Sequence, residues 1–163
     1  MALLKNGKPA DDPFVDVSAA EELPAGDGVL VNLAQWQEHR DDLIQRKAVA
    51  VKLASDEHPR LIADDLDKLA MVALEFPVFG DGRAYSYARL LRDRFGYSGE
   101  LRAVGDVLLE QLHFMHRVGF DAFEISDNDA VGAWETALAD LSVWYQPTGD
   151  GRNSVIELRH RQD

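Results

Sequence analysis

Four charged residues occupy comparable places in four successive apolar runs. Lys52 lies in 48–53 (AVAVKL), Glu75 in 70–76, Arg102 in 101–104 and Glu124 in 120–125, each near the C-terminal end of its run. In α/β folds the C-terminal ends of parallel strands are where ligands bind. A lysine and an arginine there would hold a small anion, and two glutamates would move a proton. These four residues are therefore the candidate catalytic mouth. The same pattern also fits a ladder of cross-strand ion pairs, because buried charges require partners of opposite sign.

A second candidate is the turn Gly80-Asp81-Gly82-Arg83, which follows the second of these runs and opens a helical pattern. Gly80 and Gly82 let the backbone approach a ligand, and a helix start offers free N–H groups to an anion. Arg83 would add a planar fork for sulfite, sulfate, phosphate or carboxylate. Arg83, Arg89, Arg92, Arg94 and Arg102 all fall within 74–106, so this stretch is where an excess of positive charge and a small oxyanion are expected. The turn is neither a dinucleotide fingerprint nor a phosphate-binding loop, so no nucleotide is implied; with Asp81 as N-cap it also fits an ordinary strand-to-helix turn. His113 and His116 sit one turn apart with Glu110 nearby. A metal needs more ligands than that, so they read as partly exposed helix histidines and no metal site is expected. No catalytic-triad spacing is present, and the tryptophans and the Tyr85/Tyr87 pair read as core and interface.

The elements that would position these residues alternate. Strands are expected at 29–33, 48–53, 70–76, 101–104 and 120–125. Between them come helices over 34–46, capped by Asn32, from Pro59, over 83–95 and over 106–118, with Gly119 as left-handed cap. A last helix, capped by Asp127 or Asn128, carries the stripe Trp134, Leu138, Leu141, Tyr145. This rhythm predicts an α/β fold with a parallel sheet of about five strands and right-handed crossovers, either a partial (half) β/α barrel or an open flavodoxin-like sheet. Residues 1–28 read as an irregular arm with a short strand at 14–17, 29–147 as one domain, and 148–163 as a polar, loosely ordered tail.

Composition narrows the function classes. The chain has 163 residues, no cysteine and a formal net charge of −12. Without cysteine it has no disulfides, no thiolate nucleophile and no thiolate ligands for an iron–sulfur cluster. Its acidity argues against nucleic acid as a partner and suits docking on a basic protein. With no apolar run of membrane length and no secretory pattern, it reads as cytoplasmic and not membrane-bound. An open sheet edge, with Trp134, Trp144 and Tyr145 near the chain end, suggests a homodimer.

The motifs FGDGRAYSYARLLR (79–92) and GELRAVGDVL (99–108), within 76–125, carry a resemblance. The chain resembles the bacterial domain of unknown function family 934, whose members are labelled as oxidoreductases and lie beside genes for assimilatory sulfite reductase. The resemblance implies a role in sulfite reduction and sulfur assimilation, with sulfite reductase or its electron donor as partner; it supplies no catalytic residues. The chain shows no cofactor motif, and none is expected. The economical expectation is an accessory protein that binds a redox partner or a sulfur oxyanion and leaves electron transfer to that partner. The alternative is a small cofactor-independent enzyme working at the Lys52/Glu75/Arg102/Glu124 mouth.

Overall fold

The arm that reads as irregular in sequence begins with a hairpin. Ala2–Lys5 (β1) and Lys8–Ala10 (β2) pair antiparallel across Asn6-Gly7, both at positive φ, as a tight hairpin turn requires. A computed structural model describes residues 2–126, 130–139, 144–148 and 152–160. Val15–Asp16 (β3) is the short strand expected in the arm. The apolar runs then supply Val29–Asn32 (β4), Val49–Leu53 (β5), Met71–Phe76 (β6), Glu100–Gly105 (β7) and Ala122–Ile125 (β8).

The eight strands form one sheet in the order β2-β1-β8-β7-β6-β5-β4-β3. From β3 to β8 every pair is parallel and consecutive in sequence, and β1 joins β8 antiparallel. Consecutive order is that of a β/α barrel; a flavodoxin-like sheet reverses direction part-way. The half-barrel expectation therefore holds and the flavodoxin-like alternative falls. Two corrections apply: the sheet has eight strands rather than five, and one edge is antiparallel. Turn chemistry in the arm was the signal passed over.

Chain length alone requires the sheet to curl. Ala10 ends β2, Val15 starts β3, and five residue steps reach at most about 18 Å. In a flat sheet the outer two of eight strands would lie about 34 Å apart. Residues 11–14 thus form a strap across the mouth of a half-barrel.

Pleating sends alternate side chains to opposite faces. The outer face carries Val31, Val51, Leu53, Val72, Leu74, Phe76, Leu101 and Phe123 into the main core. Over it lie the helices Leu33–Glu38 (α1), Arg40–Leu43 (α2), Arg83–Arg89 (α3), Leu112–Val118 (α4) and Ala130–Ala139 (α5), with a 3-10 helix at Pro59–Lys68. Asn32 caps α1 as expected: its Oδ1 accepts from Gln35 N at 2.8 Å while Gln35 Oε1 accepts from Asn32 N at 3.0 Å. Several helices are less regular than their patterns predict. The run 34–46 breaks at His39, 59–68 winds as a 3-10 helix, and α3 continues as a π-turn over Leu90–Arg94. Gly119 is the expected left-handed cap, at φ 114°. In the last helix Trp134 is buried and Leu138 half-buried, but Tyr145 lies beyond its end and is 84% exposed. Leu141 and the caps Asp127 and Asn128 fall outside the described residues. The polar tail contains a helix, Val155–His160 (α6).

Candidate functional site

The inner face of the half-barrel is built in rungs set by strand register. Leu30, Ala50, Met71 and Glu100 are level with one another. One pleat up come Asn32, Lys52, Ala73, Arg102, Ala122 and Lys5. Above these stand Glu75, level with Val104, and Glu124, level with Leu3. All four predicted mouth residues are therefore on one face, with the two cations on the middle rung and the two glutamates above. Arg102 and Glu124 meet at 3.2 Å, but the four do not converge on one point. Lys52 and Arg102 are separated by the strand bearing Ala73, which is two strand spacings or about 10 Å.

Arg102 is completely buried, and each of its three guanidinium nitrogens donates to a carboxylate. Nε donates to Glu100 Oε1 at 2.9 Å and Nη2 reaches the same oxygen at 2.8 Å. Nη1 donates to Glu124 Oε1 at 3.2 Å. The remaining two bonds run as a parallel fork to Asp12, at 2.6 and 3.1 Å. Lys5 Nζ takes the other oxygen of Glu100 at 2.6 Å. Desolvation works to lower the Arg102 pKa, but the carboxylates outweigh it and raise it further above its ordinary value. Asp12 is the converse: burial works to raise its pKa, and bonds from Arg102 and the Phe14 amide hold it below the usual carboxylate range.

Lys52 is partly covered and has Asp16 at 3.7 Å. Glu75 is half-buried above Ala73. Phe14 packs on the small apolar patch of the inner face, its ring 5.9 Å from the Arg102 guanidinium carbon. Asp12, Phe14, Asp16, Glu100 and Lys5 were not singled out by sequence reasoning. The signal was present: Asp12-x-Phe14-x-Asp16 and Glu100-x-Arg102 each repeat with period two, which puts their members on one face of extended chain.

The Gly80–Arg83 turn lies apart from this cluster, at the start of α3. Gly82 occupies the N-cap, and Arg83 Nε and Nη2 form a fork on Asp81 at 3.0 and 2.6 Å. Arg83 Nη2 also donates to Ser55 Oγ at 2.8 Å, and the Arg83 amide donates to Asp81 Oδ1 at 3.1 Å. The paired guanidinium and amide hold Asp81 well below its ordinary pKa. The fork expected to meet an oxyanion thus already holds a carboxylate. The expected positive excess over 74–106 is also cancelled, since Glu75, Asp81, Asp93, Glu100 and Asp106 balance the five arginines. Arg92 illustrates the structural use of these side chains. It donates to the carbonyls of Gly119, Tyr97 and Gly99 and to Asp121, pinning the π-turn to the strand ends beneath it.

His113 is buried rather than partly exposed. It stacks on Trp144 at 4.5 Å, its Nδ1 lies 3.1 Å from the Ala137 carbonyl, and its buried Nε2 has no partner among the described residues. Desolvation lowers its pKa, and Arg117, Arg152 and His116 push the same way despite the Ala137 bond. Among the described residues no group of three or more His, Asp or Glu is arranged to hold a metal ion, and no helix is long and apolar enough to cross a membrane.

Comparison with known families bears on residues 50–156, from β5 into the last helix. They match the family model described as bacterial protein of unknown function (DUF934). The chain belongs to this family. The matched DUF934 region includes Lys52, Glu75, the Gly80–Arg83 turn, Arg102 and Glu124, whereas Lys5, the strap residues Asp12 and Phe14, and Asp16 of β3 lie before it. No curated protein and no solved structure matches the chain.

Proposed function

We propose that this DUF934 protein is a cytoplasmic accessory of sulfite reduction that docks on the reductase or its electron donor. The observation that carries this reading is how the charges are distributed. The cations at both predicted sites are engaged by carboxylates of the same chain, while an acidic surface is left outside. Arg40 of α2 forms a two-point ion pair with Asp65 of the neighbouring 3-10 helix. Around that clasp Glu38, Asp41, Asp42, Asp64 and Asp67 are exposed. Adjacent carboxylates on two packed helices present a negative field suited to a basic partner, and such a field speeds encounter in a salt-sensitive way. The absence of cysteine fits a partner role, because iron–sulfur chemistry requires thiolates from another chain.

Fluorescently labelled protein titrated with purified sulfite reductase, and separately with its electron donor, tests the reading. Binding to one of them should weaken at least about tenfold when salt is raised well past the screening range. It should also weaken when Asp41, Asp42 and Asp64 are changed to lysine. No binding to either protein at low salt overturns the proposal.

Self-association belongs to the same reading. β3 is a two-residue edge strand with Val15 62% exposed, and Val78 and Phe79 are exposed on the loop after β6. A second copy would cover these features. The enzymatic alternative rests on Glu75, half-buried at the strand ends; its test is loss of turnover in a folded Glu75→Gln variant.

A further inference from the structure

We infer that the inner face beneath the strap is a binding site for small carboxylates bearing a planar apolar group, and that Asp12 and Phe14 are its resident self-ligand. The inference rests on the inner face and not on the acidic outer surface, so it stands or falls separately from the docking role.

Arg102 and Asp12 are unequal partners. The guanidinium is wholly buried and fixed on a central strand, whereas the Asp12 side chain is 38% exposed and comes from the strap. Residues 11–14 make no backbone–backbone hydrogen bond among the described residues; anchorage resumes at Val15, whose amide donates to Gly28. Of the Arg102 hydrogen bonds, two go to the strand-borne Glu100 and Glu124, with Nη2 also 2.8 Å from Glu100. The other two face the strap as a fork, the geometry that recognises a carboxylate from any source. Removing Asp12 would leave two buried donors unanswered, so an incoming carboxylate is favoured in its place.

The floor beside the fork sets the remainder of the ligand. It is formed by Leu30, Ala50, Met71, Ala73 and Val104, and Phe14 lies on it. Barrel interiors are usually filled by bulky branched residues. Here two alanines at the centre leave room that the arm's ring fills. A carboxylate on the fork with a flat ring over Ala50 and Ala73 would reproduce both contacts in one molecule. Lys52, held by Asp16 at 3.7 Å, adds a second cation toward the other side of the floor.

Benzoate is the probe, titrated into the full chain and followed by NMR at the Arg102 Nε–H and the Phe14–Val17 amides. With the competing carboxylate removed, Asp12→Ala should bind benzoate at least about tenfold more tightly than the wild type, since self-occupancy divides apparent affinity. Acetate and benzyl alcohol, each lacking half of the recognition, should bind more weakly than benzoate. If folded Asp12→Ala binds benzoate no better than the wild type, or if benzyl alcohol equals benzoate, the inference is wrong. Should Asp12→Ala not fold, the wild type decides. At about 100 mM benzoate, well above the millimolar range of weak sites, Arg102 and Phe14 signals must shift together, and their silence overturns the site.

Discussion

Arg102 shows how a residue's neighbours decide its chemistry. Read alone, an arginine at a strand end is an anion receptor; with Asp12, Glu100 and Glu124 around it, it is the centre of a closed ion-pair network. Removing one member of such a network leaves buried charge uncompensated. Arg102→Met should therefore destabilise the fold by about 3–5 kcal/mol in chemical denaturation, far more than Lys52→Met, whose side chain is partly exposed. His113 supports a second prediction. Its folded pKa is depressed, so its contribution to stability is full above its unfolded value of 6.5 and is lost as pH falls through the lower folded pKa. The melting temperature should fall between neutral pH and about pH 5, and His113→Phe, which keeps the ring on Trp144, should flatten that decline. If the slope is unchanged in His113→Phe, other groups set it.

At the scale of elements, the parallel strands and most helices were legible because apolar runs and 3.6-residue patterns report burial directly. The hairpin at 2–10 was missed because its apolar signal is only Leu3 and Leu4; the Asn6-Gly7 turn was the cue that marked it. The winding of 59–68 and the π-turn were also hidden. Periodicity tells which face is buried, but the backbone there is set by tertiary contacts such as Arg92 reaching the carbonyls of Tyr97 and Gly99. The end of β7 gives a sharp test. Gly105 has φ 90°, and an added Cβ would lie 2.5 Å from the Phe76 carbonyl oxygen. Gly105→Ala should lower stability by roughly 1–3 kcal/mol, whereas Gly80→Ala, which meets nothing within 4 Å, should leave it nearly unchanged. Equal melting temperatures for the two variants would show that the strand end relaxes.

At the scale of the whole molecule, the candidate residues were legible one at a time and their use was not. Comparable places near the ends of four apolar runs marked Lys52, Glu75, Arg102 and Glu124, but only the curl of the sheet brings a strap from residues 11–14 across the inner face, and Asp12 is 90 positions from Arg102. No local pattern encodes a contact of that separation. Light scattering should give twice the mass of the 18.2 kDa chain if the β3 edge is covered by a second copy, and Val15→Lys should return it to a monomer. The inner face is held shut by the chain's own carboxylates. Side-chain nitrogen NMR of Arg102 tests this most directly. A buried guanidinium with all three nitrogens bonded to carboxylates should show separate, slowly exchanging Nη protons at neutral pH, unchanged by salt. A single averaged signal in fast exchange with water would show an open mouth and contradict the closed inner face.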